Sequence, residues 1–269
     1  GGNLLLSDEE KTELINKEPL AAKYILPLIS AYEFLNGKTR WCLWLVDAEP
    51  QDLKKMPEVL KRIDAVKTFR LASVAPSTQK FADTPGLFRD RNRPETFIVV
   101  PRVSSENRPY IPFGFFDKNS IVSDTCMSIP NGTIFHFGIL MSQMHMAWVK
   151  TTCGRLKSDF RYSKDIVYNN YPWPEKPTDK QKEAIEKAAQ KVLDARAEFP
   201  NSSLADLYDP LTMPPVLVKA HNELDKAVDA AYSKQDFSTD AKRMEFLFGL
   251  YEKYTSGLFA KEKKTKSKK

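Results

Sequence analysis

Apolar residues recur along this chain with two different periods, and the change from one to the other divides it. After Pro174 they fall three and four positions apart. Ile185, Ala188, Ala189, Val192 and Phe199 form one run; Leu217, Ala220, His221, Leu224, Ala227, Val228, Ala231 and Tyr232 a second; Met244, Leu247, Phe248 and Tyr251 a third. That spacing predicts three amphipathic helices, the first opened by a capping box from Thr178 to Gln181 and stopped by Pro200, the second following Pro214-Pro215, the third running from about Asp240 to Tyr254. Three such helices with short connections predict a small bundle.

Before Pro174 the pattern is mixed. Ser7 to Glu10 is a capping box, and Leu14, Ile15, Ala21, Ala22, Ile25 and Leu26 predict the buried side of a helix broken by Pro19 and Pro27. Trp41 to Val46 is an apolar run of strand length. Leu53, Met56, Val59, Leu60, Ile63, Val66 and Phe69 predict a helix between Asp52 and Ala72. Thr96 to Pro101 and Tyr110 to Phe113 read as strands around a Ser104–Arg108 loop. Ile121 to Ile129 and Gly132 to Leu140 read as two more, joined at the turn residues Pro130-Asn131-Gly132. Met141 to Val149 fits a helix leading into the next stretch. The fold class expected is therefore α+β, a mixed α/β domain followed by a helical bundle, with the boundary near the stiff Pro172-Trp173-Pro174.

Composition changes this picture in one respect. The net charge of +6 over 269 residues suggests a polyanion partner, but residues 261–269 hold six lysines and one glutamate, so the remainder is nearly neutral. Any nucleic-acid surface must then be a local patch. Two candidates exist: Arg89 to Arg108, and the sharper Lys150 to Lys164, with Lys150, Arg155, Lys157, Arg161 and Lys164 against Asp159 alone. Phe160, Tyr162 and Tyr168 interleave with those cations. In an extended segment Lys157 and Asp159 would leave the same face. A lysine only donates hydrogen bonds and a carboxylate only accepts, which is the combination a G·C pair demands in the major groove. The same spacing also fits a solvated ion pair, which contributes little.

Other chemistry is not visible. Cys42, Cys126 and Cys153 are far apart without metal or disulfide spacing, which suits a reducing, cytoplasmic setting. His136, His145 and His221 assemble no catalytic dyad and read as packed residues. There is no apolar run of membrane-spanning length, no signal peptide, no glycine-rich phosphate loop and no Asn-Pro-Pro-Tyr-type methyltransferase motif. The opening at Gly1 suits an excised fragment.

Several longer motifs do identify a resemblance. W-C-L-W-L at Trp41, T-F-R-L-A-S at Thr68, P-E-T-F at Pro94, M-H-M-A-W at Met144, G-R-L-K-S-D at Gly154, Y-N-N-Y-P-W-P at Tyr168 and S-S-L-A-D-L-Y-D-P at Ser202 together resemble the MmeI-like type IIG (IIL) DNA methyltransferases, single chains usually fused to a restriction nuclease. The resemblance spans nearly the whole chain in order. It implies a helical connector over 1–30 from a methyltransferase domain outside this sequence, a target recognition domain over 31–174 and a helical C-terminal domain over 175–260, while the lysine-rich composition of 261–269 reads as a disordered tail. It implies double-stranded DNA as partner together with the methyltransferase domain of the same parent chain, and S-adenosylmethionine bound there rather than in this fragment. It also implies that Lys157 and Asp159 read a base pair and that Arg102, Asp124 and Thr125 are further readers, although Arg102 equally fits a phosphate contact; the charge of the basic stretch assigns Arg155, Arg161, Lys164 and Lys150 to the DNA backbone. A self-contained nuclease-like enzyme and a protein-interaction scaffold are the alternatives.

Overall fold

The computed structural model describes residues 2–266, with side chains as far as Ser256, so the lysine-rich end lies outside the described side chains. In chain order the elements are β1 (Leu5–Leu6), α1 (Asp8–Lys17), β2 (Ile25–Ile29), α2 (Ala31–Asn36), β3 (Trp41–Leu43), α3 (Pro57–Leu71), β4 (Thr96–Pro101), β5 (Val103–Ser104), β6 (Gly114–Asp117), β7 (Ile121–Val122) and β8 (Cys126–Pro130). Then follow α4 (Ile134–Leu140), α5 (Gln143–Thr152), β9 (Gly154–Leu156), β10 (Asp159–Arg161), α6 (Asp179–Ala197), α7 (Pro215–Tyr232) and α8 (Asp240–Lys266). The α+β class expected from the sequence is the one observed. No helix among the described residues is long and apolar enough to cross a membrane.

The chain forms two compact units, one of residues 1–97 and 116–124, the other of residues 98–115 and 125–269. In the first unit the strands lie in the order β1-β3-β2-β7, with β7 parallel to β2 and the other pairings antiparallel. Leu6, Leu14, Tyr24, Leu43, Met56, Val59 and Val66 form its core. Ser7 caps α1 with Glu10 reaching back, as its sequence predicts. The helix, however, ends at Lys17. Pro19 opens a 3₁₀ turn, and Ile25 and Leu26, expected on a helix, pair with Leu43 and Cys42 in the sheet. A proline without an N–H ends the α-helical ladder, and the β-branched and prolyl residues after it fit an extended strand.

The second unit holds the larger core. Ile98, Val100, Phe113, Phe137, Met144, Trp148, Phe160, Tyr162, Ile185, Val192, Leu217, Leu224 and Leu247 belong to one cluster, so the helices after Pro174 and the strands before it share an interior. Three expectations need correction here. Tyr110 to Phe113 is buried but irregular, and the strand starts at Gly114. Ile121 to Ile129 is two strands, β7 and β8, interrupted by a turn at Asp124-Thr125. Gly132 to Leu140 is a helix rather than a strand. Asn131 takes the left-handed turn conformation at φ 55°, Thr133 then caps α4, and the His136 ring accepts the Thr133 N–H. Those caps and the fit of Gly138 against Ile185 and Ala189 override the strand propensity of Ile134, Phe135 and Ile139.

Candidate nucleic-acid interface

β9 and β10 make an antiparallel hairpin, with Leu156 opposite Asp159, Arg155 opposite Phe160 and Gly154 opposite Arg161. β5 lies on the other side of β10, with Ser104 opposite Phe160 and Val103 opposite Arg161, so the three-stranded order is β5-β10-β9 and β9 is an edge. Because side chains alternate across a strand, Asp159 and Arg161 share one face and Phe160 points to the other. Phe160 and Tyr162 are both buried. The Tyr162 hydroxyl lies 3.0 Å from His145 Nε2, while His145 Nδ1 lies 2.8 Å from the Leu140 carbonyl. A carbonyl only accepts, so Nδ1 carries the proton and Nε2 accepts from Tyr162. Burial lowers the His145 pKa to about 4, which keeps the ring neutral in this role. His145 is thus an anchor for β10, in keeping with the packed role expected for it.

The hairpin turn is Lys157-Ser158, and this corrects the geometry expected for the first candidate pair. Lys157 and Asp159 do not lie on one continuous extended strand. Lys157 occupies the first turn position at φ 56°, and both favoured two-residue hairpin turns have positive φ there. Lys157 is exposed at the tip, and Asp159, half-buried, begins the returning strand. Among the described residues neither side chain makes an ion pair within 4 Å. The surface ion-pair alternative is therefore absent from this arrangement.

Arg102 lies at the break between β4 and β5. Its N–H donates to the Thr125 carbonyl at 3.0 Å, and its own carbonyl accepts from Tyr162 N–H at 2.8 Å. The backbone of one residue thereby joins the turn before β8 to the end of the hairpin. Arg102, Thr125, Asp159 and Arg161, up to 59 positions apart in sequence, come onto one framework. Asp124, exposed, precedes Thr125 in the turn.

The remaining basic candidates are differently placed. Arg155 stacks its guanidinium 4.2 Å from the Phe160 ring centre, donates to the Ser158 carbonyl at 2.9 Å and approaches Glu106 at 3.8 Å. It closes the hairpin from within. Lys164 pairs with neighbouring Asp165 at 3.0 Å, and Lys150, near the end of α5, pairs with Asp240 of α8 at 2.8 Å. Arg161 is exposed and makes no ion pair among the described residues. Of the cations in the basic stretch, Lys157 and Arg161 are the ones whose charge no carboxylate of the described structure neutralises. No cluster of metal-ligating side chains occurs among the described residues.

Two family descriptions match the chain in sequence order: "MmeI, target recognition domain" over residues 1–175 and "MmeI, C-terminal domain" over residues 177–259. The chain belongs to the MmeI family. A solved structure of the type IIL restriction-modification enzyme MmeI in complex with DNA is 46% identical, with a TM-score of 0.92, covering 95% of this MmeI-family chain and 34% of that one. DNA methyltransferase A of Bacillus subtilis (strain 168) is 44% identical over 256 residues, which cover 95% of this chain and 29% of that protein. The chain thus spans about a third of the length of either relative. Arg102, Thr125 and the β9–β10 hairpin all lie inside the stretch matching the target recognition domain.

Proposed function

We propose that this MmeI-family chain recognises a specific duplex-DNA sequence on behalf of an adenine-N6 methyltransferase on the same polypeptide, with S-adenosylmethionine bound by that other part. The observation that carries the reading is the hairpin itself. A two-stranded β-ribbon fits the major groove, and this one presents a lysine donor at its tip, a carboxylate acceptor beside it and an unneutralised arginine on the same face as that carboxylate. Lys157 donates to guanine O6 or N7 and Asp159 accepts from the cytosine N4 amino group. Arg102 and Thr125, held to the hairpin through one backbone unit, are the further readers of this assignment. Arg161, with no carboxylate partner among the described residues, supplies attraction for phosphates, and Arg155, Lys164 and Lys150 add to it only where DNA displaces Glu106, Asp165 and Asp240.

The deciding experiment exchanges the two roles. In the full-length protein, Lys157→Glu with Asp159→Arg should invert the preference at one base pair from G·C to C·G, measured by binding or methylation against all four pairs at every site position. Each single change leaves two like charges over one pair and should lose discrimination without inverting it. An unchanged preference in the double variant would remove the pair from recognition. DNA that is cut by the chain alone with magnesium would favour the nuclease reading instead.

A further inference from the structure

Arg155 sits behind the reading turn rather than on it. Directly opposed residues of a hairpin share a face, so Arg155 lies with Phe160 on the side away from Asp159 and Arg161. There its guanidinium stacks 4.2 Å from the centre of the Phe160 ring, which is itself buried in the larger core. The same guanidinium donates through Nη1 to the Ser158 carbonyl at 2.9 Å. Glu106, in the turn after β5, stands 3.8 Å from that nitrogen. Its turn is closed by Asn107 N–H donating to Ser105 Oγ at 3.3 Å and by Arg108 N–H donating to the Ser105 carbonyl at 3.2 Å. Core ring, hairpin turn and neighbouring loop, all parts of the second unit, thus meet on one planar group.

These contacts bear on the geometry of the turn. A peptide unit is planar, so holding the Ser158 carbonyl also fixes the Asp159 N–H and the direction in which Asp159 leaves the turn. On the other side of Ser158 stands Lys157 at φ 56°, a conformation that persists where the surroundings over-determine it. Neither the Lys157 nor the Asp159 side chain has a hydrogen-bond or ion-pair partner among the described residues, so the turn backbone alone aims them. A guanidinium suits such a brace because it is planar, stacks on an aromatic face and donates within its own plane, whereas an ammonium is a point charge. Turning Arg155 towards a phosphate would break the Ser158 hydrogen bond and the Phe160 stack as well as the Glu106 pair.

We propose that Arg155 is a positioning residue for base recognition: from behind the hairpin it fixes the Ser158–Asp159 peptide, and with it the directions of Lys157 and Asp159, while Glu106 steadies the guanidinium. The inference rests on Lys157 and Asp159 reading a base pair. Glu106 then stays in place when DNA binds, and the loop after β5 takes part in specificity without a base contact of its own.

The test uses the full-length protein and compares Arg155→Lys, Glu106→Gln, Lys157→Ala and Asp159→Ala. Binding is measured against all four base pairs at each position, at several salt concentrations, alongside thermal midpoints. Lysine keeps the charge but loses the planar fork, so Arg155→Lys should cut discrimination about tenfold at the position that Lys157→Ala and Asp159→Ala affect, with the salt slope of the wild type. Glu106→Gln should cost about threefold at that same position. Unchanged base ratios in Arg155→Lys overturn the proposal, whether the thermal midpoint holds, which leaves a charge contact, or falls, which leaves a structural brace. Uniformly tighter binding with a steeper salt slope in Glu106→Gln also overturns it, because the guanidinium would then have been released to a phosphate. If neither Lys157→Ala nor Asp159→Ala alters any position, the base-reading assignment itself has failed, and that result is distinct from the others.

Discussion

Lys157 holds a backbone conformation that its side chain disfavours, and it does so at the tip of the hairpin proposed to enter the groove. A left-handed φ costs an ordinary L-residue roughly 1 kcal/mol, whereas glycine adopts it freely. Lys157→Gly should therefore raise stability by up to about 1 kcal/mol while abolishing discrimination at one base pair. Denaturant midpoints and a base-substitution binding series on the same variant check both halves. If stability falls instead, the turn is not strained and the functional reading of the lysine loses one of its supports. Strain of this kind is retained where a side chain is needed, since stability alone would select Asn or Gly.

At the scale of elements, α4 and the hairpin depend on single small features. A Cβ on Gly138 would stand 2.7 Å from Ile185 Cγ2 and 3.1 Å from Ala189 Cβ, so α4 packs on α6 only because that position has no side chain. Gly138→Ala should cost about 1 to 3 kcal/mol through overpacking, despite alanine's better helix propensity, as read from urea unfolding. The irregular Tyr110–Phe113 segment is fixed differently. Tyr110 and the Gln143 N–H both donate to the buried Asp225 of α7. Tyr110→Phe removes one donor and should cost a further 1 to 3 kcal/mol, roughly the desolvation of an unpaired buried acceptor. Retained stability in that variant would mean Asp225 is satisfied without the tyrosine.

Across the whole molecule, acid and salt act on different groups. Burial raises the Asp225 pKa to about 6 from an ordinary 3.8, and lowers His145 from 6.5 to about 4. His136 and His221 are lowered by burial as well. A lowered histidine contributes stability that is present above its unfolded value and is lost as the pH drops through 6.5 towards the folded one. A raised aspartate does the opposite, since its protonated form is favoured in the fold and stability is gained as the pH drops through about 6. The wild type should lose stability on acidification from 6.5 to 4, with Asp225 offsetting part of the loss. Asp225→Asn should steepen that loss, a comparison made by thermal midpoints at pH 7 and pH 4.5; an equal or shallower slope would contradict the assignment. Salt reports on the other surface. Arg161→Ala should weaken binding to every sequence and lower the logarithmic salt slope by about one if it contacts a phosphate. Loss confined to one sequence would instead make Arg161 a base reader.

By itself the sequence determined the helical second half, the capped start of α1, strand β4 and the identity of the chemically competent residues, because these follow from local periodicity, capping and charge. The motif strings around Trp41, Gly154 and Ser202 also sufficed to place the chain in its family. Helix or strand was not decided locally where short apolar runs fit both. Gly132 to Leu140 became a helix through its caps and the Gly138 contact, and Ile25 to Ile29 a strand through pairing with β3. The site shows the same division. Lys157 and Asp159 could be singled out by type and spacing, but their hairpin was set by pairing with β5 and by Phe160 and Tyr162 entering the core. Arg102 meeting Thr125 and Tyr162 is a contact between residues far apart in the chain. No local pattern encodes such meetings. They exist only once a common core has been packed, because burial and backbone pairing then choose among arrangements that propensity alone leaves equal.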